Sequence, residues 1–411
     1  MSLLLEEAEW TLAALISKQF VDANDTAVIC QSWNQLNKYL AHLTSSFPET
    51  SIHAIAVKTN PHPKVLEHLV KLGYGLEAAS LEEVQLAVKA GAEFSKIVFD
   101  SPVKTRHEIN YCHDHFPGIR INVNCLEELN RMPEHPSFTL GIRINPMIDA
   151  GSPSLYHVSS DESKFGVPII EKAEIIDAIL KYPVTQLHVH AGSHMNNIDC
   201  AIDAVNILSN LADQANVALN ENNCSRRIEY LDIGGGLPPE ILYENKESRM
   251  QIYSSGLFRA IPGLKNYKII TEFGQWCYFY TAYAISKVEY SLKRGQKNVA
   301  FIHLGADYLM RDAYTKPRGI DFIVLNDRLS RKSGNEITYD IAGPLCFAGD
   351  YLIKNKSLPP IDEGDWMMLL NTGSNSFGLW SRHCSRSIPK IFGIDYDGQN
   401  IELLSNRHNF Y

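Results

Sequence analysis

"HAIAVKTNPHPK", residues 53–64, carries the reading of the fold. Ala54, Ile55, Ala56 and Val57 form a short apolar run without alternation, the pattern of a strand buried on both faces. The run leads straight into Lys58 and is shut off by Pro61 and Pro63, so a lysine stands at the mouth of a buried strand. Working outward, "GLEAAS", "KIVFDSP", "IRINVNC", "LGIRINP", "QLHVHAGS", "YLDIGGG" and "KIITEFG" have the same build, each ending in polar or glycine residues. The segments between them carry helical patterns, such as "DCAIDAVNILSNLADQAN" (199–216) and "SLEEVQLAVKAG" (80–91). The second opens with Ser80 and Glu83 at capping-box spacing and stops at Gly91. Eight buried strands alternating with helices predict a parallel (β/α)8 barrel. An open doubly wound sheet shares the alternation, and the count of eight decides for the barrel.

After about residue 276 the texture changes. "FYTAYAISKVEYSL", "NVAFIHLG", "DFIVLN", "ITYDIAG", "DWMMLLN" and "SIPKIFGID" are rich in β-branched and aromatic residues, with turn signals such as "LPPIDEGD" between them. "TAVICQS" (26–32) reads as a strand of the same kind. The expected organisation is therefore a barrel over residues 40–284 and a β-rich sandwich or barrel built from 1–39 and 285–411. A chain of 411 residues has room for two such cores.

Composition narrows the partners. The net charge of −9 and the lack of long basic blocks argue against nucleic acid or an anionic membrane surface. No apolar stretch approaches the ~20 residues that span a bilayer. Glu6, Glu7 and Glu9 stand where a signal peptide would be basic, so the N-terminal segment reads as an amphipathic helix. Eight irregularly spaced cysteines with no CxxC fit neither a disulfide frame nor a zinc knuckle and point to a reducing cytoplasm.

In a barrel, chemistry gathers where the strands end. The tips carry Lys58, Ser80, Asn124, Arg143 with Asn145, His190 with Ser193, Gly234 to Gly236, and Glu272 with Gly274. A capping or turn role would explain any one of them. A whole ring of polar tips on apolar strands points further, because half-buried Lys and Glu are rare unless paired or functional. Glycine loops after the seventh and eighth strands are a recurrent phosphate site. A lysine, a carboxylate and a phosphate loop at one mouth suggest pyridoxal 5′-phosphate (PLP). Lys58 would form the Schiff base, Glu272 would keep the pyridine nitrogen protonated, and His190 would suit stacking on the ring.

The motifs resemble, in order, those of the barrel-type (fold type III) PLP decarboxylases of ornithine, arginine, diaminopimelate and carboxynorspermidine, which share their barrel with alanine racemase. "AVKTN", "LEAAS", "HVHAGS", "LDIGGG" and "TEFG" resemble the barrel motifs. "GPLCFAGD" (343–350) and "LWSRHCSR" (379–386) resemble motifs of the second domain. The resemblance implies that Lys58 is the Schiff-base lysine, that His190 stacks on the ring, and that Ser193 with Gly234, Gly235 and Gly236 binds phosphate. It further implies that Glu272 pairs with the pyridine nitrogen beside Gly274, and that Cys346 protonates Cα from the partner subunit of a homodimer.

Two departures bear on the phosphate site. The family's Glu-Pro-Gly-Arg is here "EFGQ", placing Gln275 where an arginine would stand, a loss of roughly 1.5–3 kcal/mol of charged hydrogen bonding. The late "GAY" is "GSN", placing Asn375 at the tyrosine position. On the substrate side, Arg311 resembles the carboxylate-binding arginine of diaminopimelate decarboxylases, and Arg143, at a strand tip, is expected to meet substrate as well. The residue after the cysteine, acidic in ornithine and diaminopimelate enzymes, is Phe347, and the motif's carboxylate is Asp350. The expected activity is decarboxylation of an L-amino acid with a bulky or N-substituted side chain, of siderophore or polyamine type. The alternative is a diaminopimelate or ornithine/lysine-type decarboxylase. Three rivals use the same residues: a metal-dependent barrel hydrolase built on His188, His190 and His194, a PLP-binding protein without turnover, and a racemase. Glu272 and Cys346 argue against the racemase.

Overall fold

The structure, a computed structural model, describes residues 3–149, 151, 158–315 and 319–408. It divides into two compact units, residues 40–277 and residues 1–39 with 278–411. Strands are numbered along the chain, so β1 (Ala27–Ser32) belongs to the second of these.

All eight apolar runs are strands of the first unit. They are β2 (Ile52–Ala56), β3 (Gly75–Ala78), β4 (Ile97–Phe99), β5 (Arg120–Val123) and β6 (Thr139–Asn145). After a two-residue strand, β7 (Val167–Pro168), come β8 (Val184–Val189), β9 (Tyr230–Asp232) and β10 (Lys268–Thr271). Each pairs in parallel with the next, with β6 running directly to β8, and β10 returns to β2. The ring is closed, a (β/α)8 barrel, with β7 added outside it on β6. Helices cover its outside, which is why the strands carry apolar residues on both faces. The helix Leu81–Lys89 starts as its sequence requires, with the Ser80 hydroxyl accepting the Glu83 amide.

The barrel interior is polar in its middle. Arg120 donates to Gln186 (3.0 Å), and Gln186 donates to the Asn122 side chain (2.8 Å). Gly141 makes room for this triplet, since a Cβ there would strike Asn122. Ala54, Val98 and Ile270 supply the apolar part. This packed floor leaves the open end of the barrel to the strand tips.

In the second unit, β1 is central, antiparallel to β11 (Ala282–Arg294) and parallel to β17 (Lys390–Asp395). The 13-residue β11 also pairs with β12 (Lys297–Ile302) and, through a separate edge, with β16 (Trp366–Leu370). The sheet is completed by β13 (Asp321–Leu325), β14 (Ile337–Ala342), β15 (Tyr351–Leu358) and β18 (Asn400–Ser405). Successive residues of β1 serve opposite cores, Ile29 one way and Val28 with Cys30 the other, as the period of two dictates. Helix α1 (Leu3–Ser17) covers the second face with Leu4, Leu5, Ala8, Leu12 and Leu15. Among the described residues no helix is long and apolar enough to cross a membrane. All eight cysteines are free.

Candidate active site

Lys58 leaves β2 on a single 3-10 turn, Val57–Thr59, and its side chain is 53% exposed at the mouth of the barrel. Its ammonium pairs with the carboxylate of Glu77, a buried residue on β3. Desolvation at a strand mouth lowers a lysine's pKa. Burial does pull that way, but the coulombic pull of Glu77 and Glu272 outweighs it, and the Lys58 pKa is raised. The lysine stands in a nest of carboxyl groups rather than a dry apolar mouth.

Those carboxyls form a row across the barrel. Glu272, just past β10, and Asp232, the last residue of β9, are both buried. Burial and then Asp232, Glu77 and Asp100 push the Glu272 carboxyl well above the usual range. Burial likewise raises Asp232, whose Oδ1 accepts the Gly234 amide at 3.0 Å. Glu272 Oε1 and Asp232 Oδ2 are buried without a hydrogen-bond partner. Asp100, at the end of β4, behaves oppositely. Burial would raise it, but Arg143 (2.6 Å) and His188 hold it far below the usual carboxylate range. Arg143 on β6 is thus committed to Asp100 and lies over the Phe165 ring at 4.6 Å.

His190 follows β8, and its Nδ1 accepts the Gly235 amide at 3.2 Å. Burial first, then Arg143, His188 and Lys58, drive its pKa well down, so the ring is neutral with its proton on Nε2. A neutral ring of this kind suits stacking. The glycine loop packs tightly against it. A Cβ at Gly234 would lie 2.6 Å from the Val189 carbonyl oxygen, and one at Gly236 (φ +97) would collide with the Gly192 carbonyl. Glycine is required at both. Two of its three amides are already used, by Asp232 and His190, so the loop offers an anion fewer donors than its sequence suggests. Ser193 lies half-buried in the loop after β8, and Gly274 opens a five-residue helix beside Thr59. Gln275, at the expected arginine position, meets His194, its Nε2 lying 2.9 Å from that of the ring.

The remaining predicted residues lie in the second unit. Cys346 is exposed, and its amide donates to the Cys384 sulfur at 3.3 Å. Phe347 stacks on Tyr314 (centroids 5.0 Å apart, 19° between planes), and Tyr314 shares the short helix Met310–Tyr314 with the half-buried Arg311. Asp350 is buried, with its oxygens accepting the Leu345 and Ala306 amides, both at 2.7 Å. It shapes the loop that carries Cys346. Asn375 sits in the left-handed region (φ +52) beside Ser374.

Sequence reasoning passed over Glu77, Asp100 and Asp232, and weighed His188 only as a metal ligand. The signal was present, for each is an ionisable residue within or just past an apolar run: "GLEAAS", "KIVFDSP", "YLDIGGG" and "QLHVHAGS". The three-histidine arrangement does not converge. His190 turns to the glycine loop, His194 to Gln275, and His188 stays inside the barrel.

A barrel with a mouth lysine, a buried carboxyl row and a glycine cradle defines a fold type III PLP-binding site. Residues 33–278 match the family described as pyridoxal-dependent decarboxylase, pyridoxal binding domain. The chain therefore belongs to the pyridoxal-dependent decarboxylases, and its cofactor is PLP. It is 26% identical over 412 residues to diaminopimelate decarboxylase of Aquifex aeolicus (98% of this chain, 94% of that one). It is 29% identical over 371 residues to the Helicobacter pylori J99 enzyme of that name (87% and 86%). In fold it resembles Helicobacter pylori diaminopimelate decarboxylase complexed with L-lysine (TM-score 0.82, 23% identity, 95% and 96% covered). It also resembles the arginine decarboxylase of Paramecium bursaria Chlorella virus (TM-score 0.81, 17% identity, 94% and 100% covered). The residues present fit the cofactor. An amine stands at the mouth, a buried Glu272 oxygen lacks a partner, and the cradle admits no Cβ.

Proposed function

We propose that this PLP-dependent decarboxylase acts on an L-diamino acid of diaminopimelate type. That substrate was the alternative in the sequence reading, and the curated relatives support it better than a bulky side chain. The observation that carries the site assignment is the pairing of Lys58 with Glu77 beside a buried Glu272 whose Oε1 has no partner. Lys58 anchors the cofactor, Glu272 serves its ring nitrogen, and His190 lies against its ring. Ser193, Gly236 and Gln275 of the barrel bind phosphate. Bound there, the cofactor takes up the electron pair left at the substrate Cα when carbon dioxide departs.

The chain's own work is proton handling. Lys58 must shed a proton before its Nζ can react, and Glu77 is the acceptor already in contact with it. Glu272, once ionised, would be the counter-ion that keeps the cofactor's ring nitrogen protonated. Cys346 delivers a proton to Cα, and Arg311 meets the substrate's distal carboxylate.

One observation favours a second substrate reading. Asp350 is tied to backbone amides and Phe347 is stacked on Tyr314, so the loop after Cys346 turns no carboxylate toward a distal ammonium. A longer or N-substituted side chain would suit such an aromatic wall. The test is kcat/KM for meso-diaminopimelate, L-ornithine and L-lysine beside N-substituted analogues, following carbon dioxide and amine by mass spectrometry. High efficiency on meso-diaminopimelate with poor turnover of the analogues is expected. The reverse order would replace the first reading by the second, and no carbon dioxide from any of them would remove both.

A further inference from the structure

His188 is a buried titratable group that this mechanism leaves unused. It is wholly buried on β8, and neither ring nitrogen makes a hydrogen bond of good geometry. Nδ1 lies 3.4 Å from Asp100 Oδ1, whose other oxygen is held by Arg143, and Nε2 lies 3.7 Å from Glu272 Oε2. One ring nitrogen of His188 and one oxygen each of Asp232 and Glu272 lie within 4.8 Å of one another. Burying an imidazole with its Nε2 unmet costs free energy that an apolar side chain would not, so packing alone does not account for it.

We propose that His188 is a positioning residue that receives the Glu272 proton, so that Glu272 can stand as a carboxylate under the cofactor's ring nitrogen. The inference rests on the reading that Glu272 serves that nitrogen. Ionised Asp100 fixes the ring with Nδ1–H toward it, which leaves the Nε2 lone pair facing Glu272. The step balances within the pair. The O–H bond of Glu272 breaks, an N–H bond forms at His188 Nε2, and the imidazolium is matched by Asp100. Both separations exceed hydrogen-bond length, as is common before a ligand tightens a site. The groups facing His188 are Asp100 from β4, Arg143 from β6, His190 on its own strand's end, Asp232 from β9 and Glu272 after β10. Glu272 in turn faces Glu77 and Lys58. Burial and three neighbouring carboxyls favour a neutral Glu272, a poor counter-ion for a protonated ring, and a proton acceptor beside it offsets them.

The test uses His188→Phe, which keeps the volume without nitrogen, and His188→Gln, which restores a polar atom toward Glu272. In apoprotein labelled with 13C at glutamate Cδ, with Glu272 assigned by Glu272→Gln, the Glu272 titration midpoint should rise by a unit or more in His188→Phe. That is about a tenfold change in proton affinity. Part of the shift should return in His188→Gln. In holoenzyme, the pH at which the bound cofactor's visible absorption changes should move in His188→Phe and in Glu272→Gln. An unchanged Glu272 midpoint in both folded His188 variants would overturn the inference. If His188→Phe does not fold, His188→Gln decides alone: a midpoint equal to wild type, with kcat and KM unchanged, overturns it. A spectrum insensitive to Glu272→Gln, with the apoprotein coupling intact, would count instead against the reading of Glu272.

Discussion

Lys58 shows how one residue's neighbours decide its chemistry. A lysine at a strand end invites the expectation of a lowered pKa, because desolvation disfavours the ammonium. Here Glu77 and Glu272 reverse the sign, and because the side chain is half exposed the effect is moderated by solvent. The free protein therefore stores Lys58 as an ammonium, and Glu77→Gln should release it. Reductive methylation of the apoprotein with formaldehyde and cyanoborohydride, followed by peptide mass mapping, reads the neutral amine directly. At a pH below the lysine's pKa, Glu77→Gln should label Lys58 about tenfold faster than wild type, one unit of pKa. Equal rates would show that Glu77 does not control the lysine's charge.

At the scale of elements, strands were more legible than their partners. The eight barrel runs could be read because a strand covered on both faces needs apolar residues throughout and turns polar only at its tip. Glu77 and Asp232 were less visible, because one charged residue in so short a run looks like a turn signal. That β11 would pair with β1, β12 and β16 could not be read at all, since nothing local encodes partners far along the chain. Helix α1 was readable as amphipathic, but its three early glutamates looked like a solvated face. Glu7 shares the helix face of Leu4, Ala8 and Thr11, and it is buried with Oε2 accepting from Ser32 (2.6 Å) and Oε1 from Tyr283 (3.3 Å). Burial raises its pKa from 4.5 to about 7 despite those bonds. The fold thus binds this proton more tightly than the unfolded chain does. Its contribution is full below about pH 4.5 and is lost as pH rises through about 7. Wild type should lose up to about 3 kcal/mol between pH 5 and pH 8 that Glu7→Gln does not. Denaturation in urea at the two pH values measures it, and parallel profiles would refute the assignment.

At the scale of the whole molecule, the chemistry is divided between two units. The barrel carries Lys58, Glu77, Asp232 and Glu272, while the β-rich unit carries Cys346, Phe347 and Arg311. On the proposed roles neither set completes a decarboxylation alone, because one holds the proposed anchor of the cofactor and the other the proposed proton donor. The proposed homodimer resolves this by having Cys346 of one subunit serve the barrel of the other, and that arrangement makes a quantitative demand. Lys58→Ala and Cys346→Ala are each expected to be nearly inactive. When equal amounts exchange subunits at random, about half of the dimers are mixed, and each mixed dimer rebuilds one site from an intact barrel and an intact cysteine unit. About a quarter of wild-type activity should therefore return. If each chain used its own cysteine, every site in every dimer would lack either Lys58 or Cys346, and mixing would restore nothing. Activity that stays at the level of the separate variants, after mass spectrometry has verified mixed dimers, would reject the shared site.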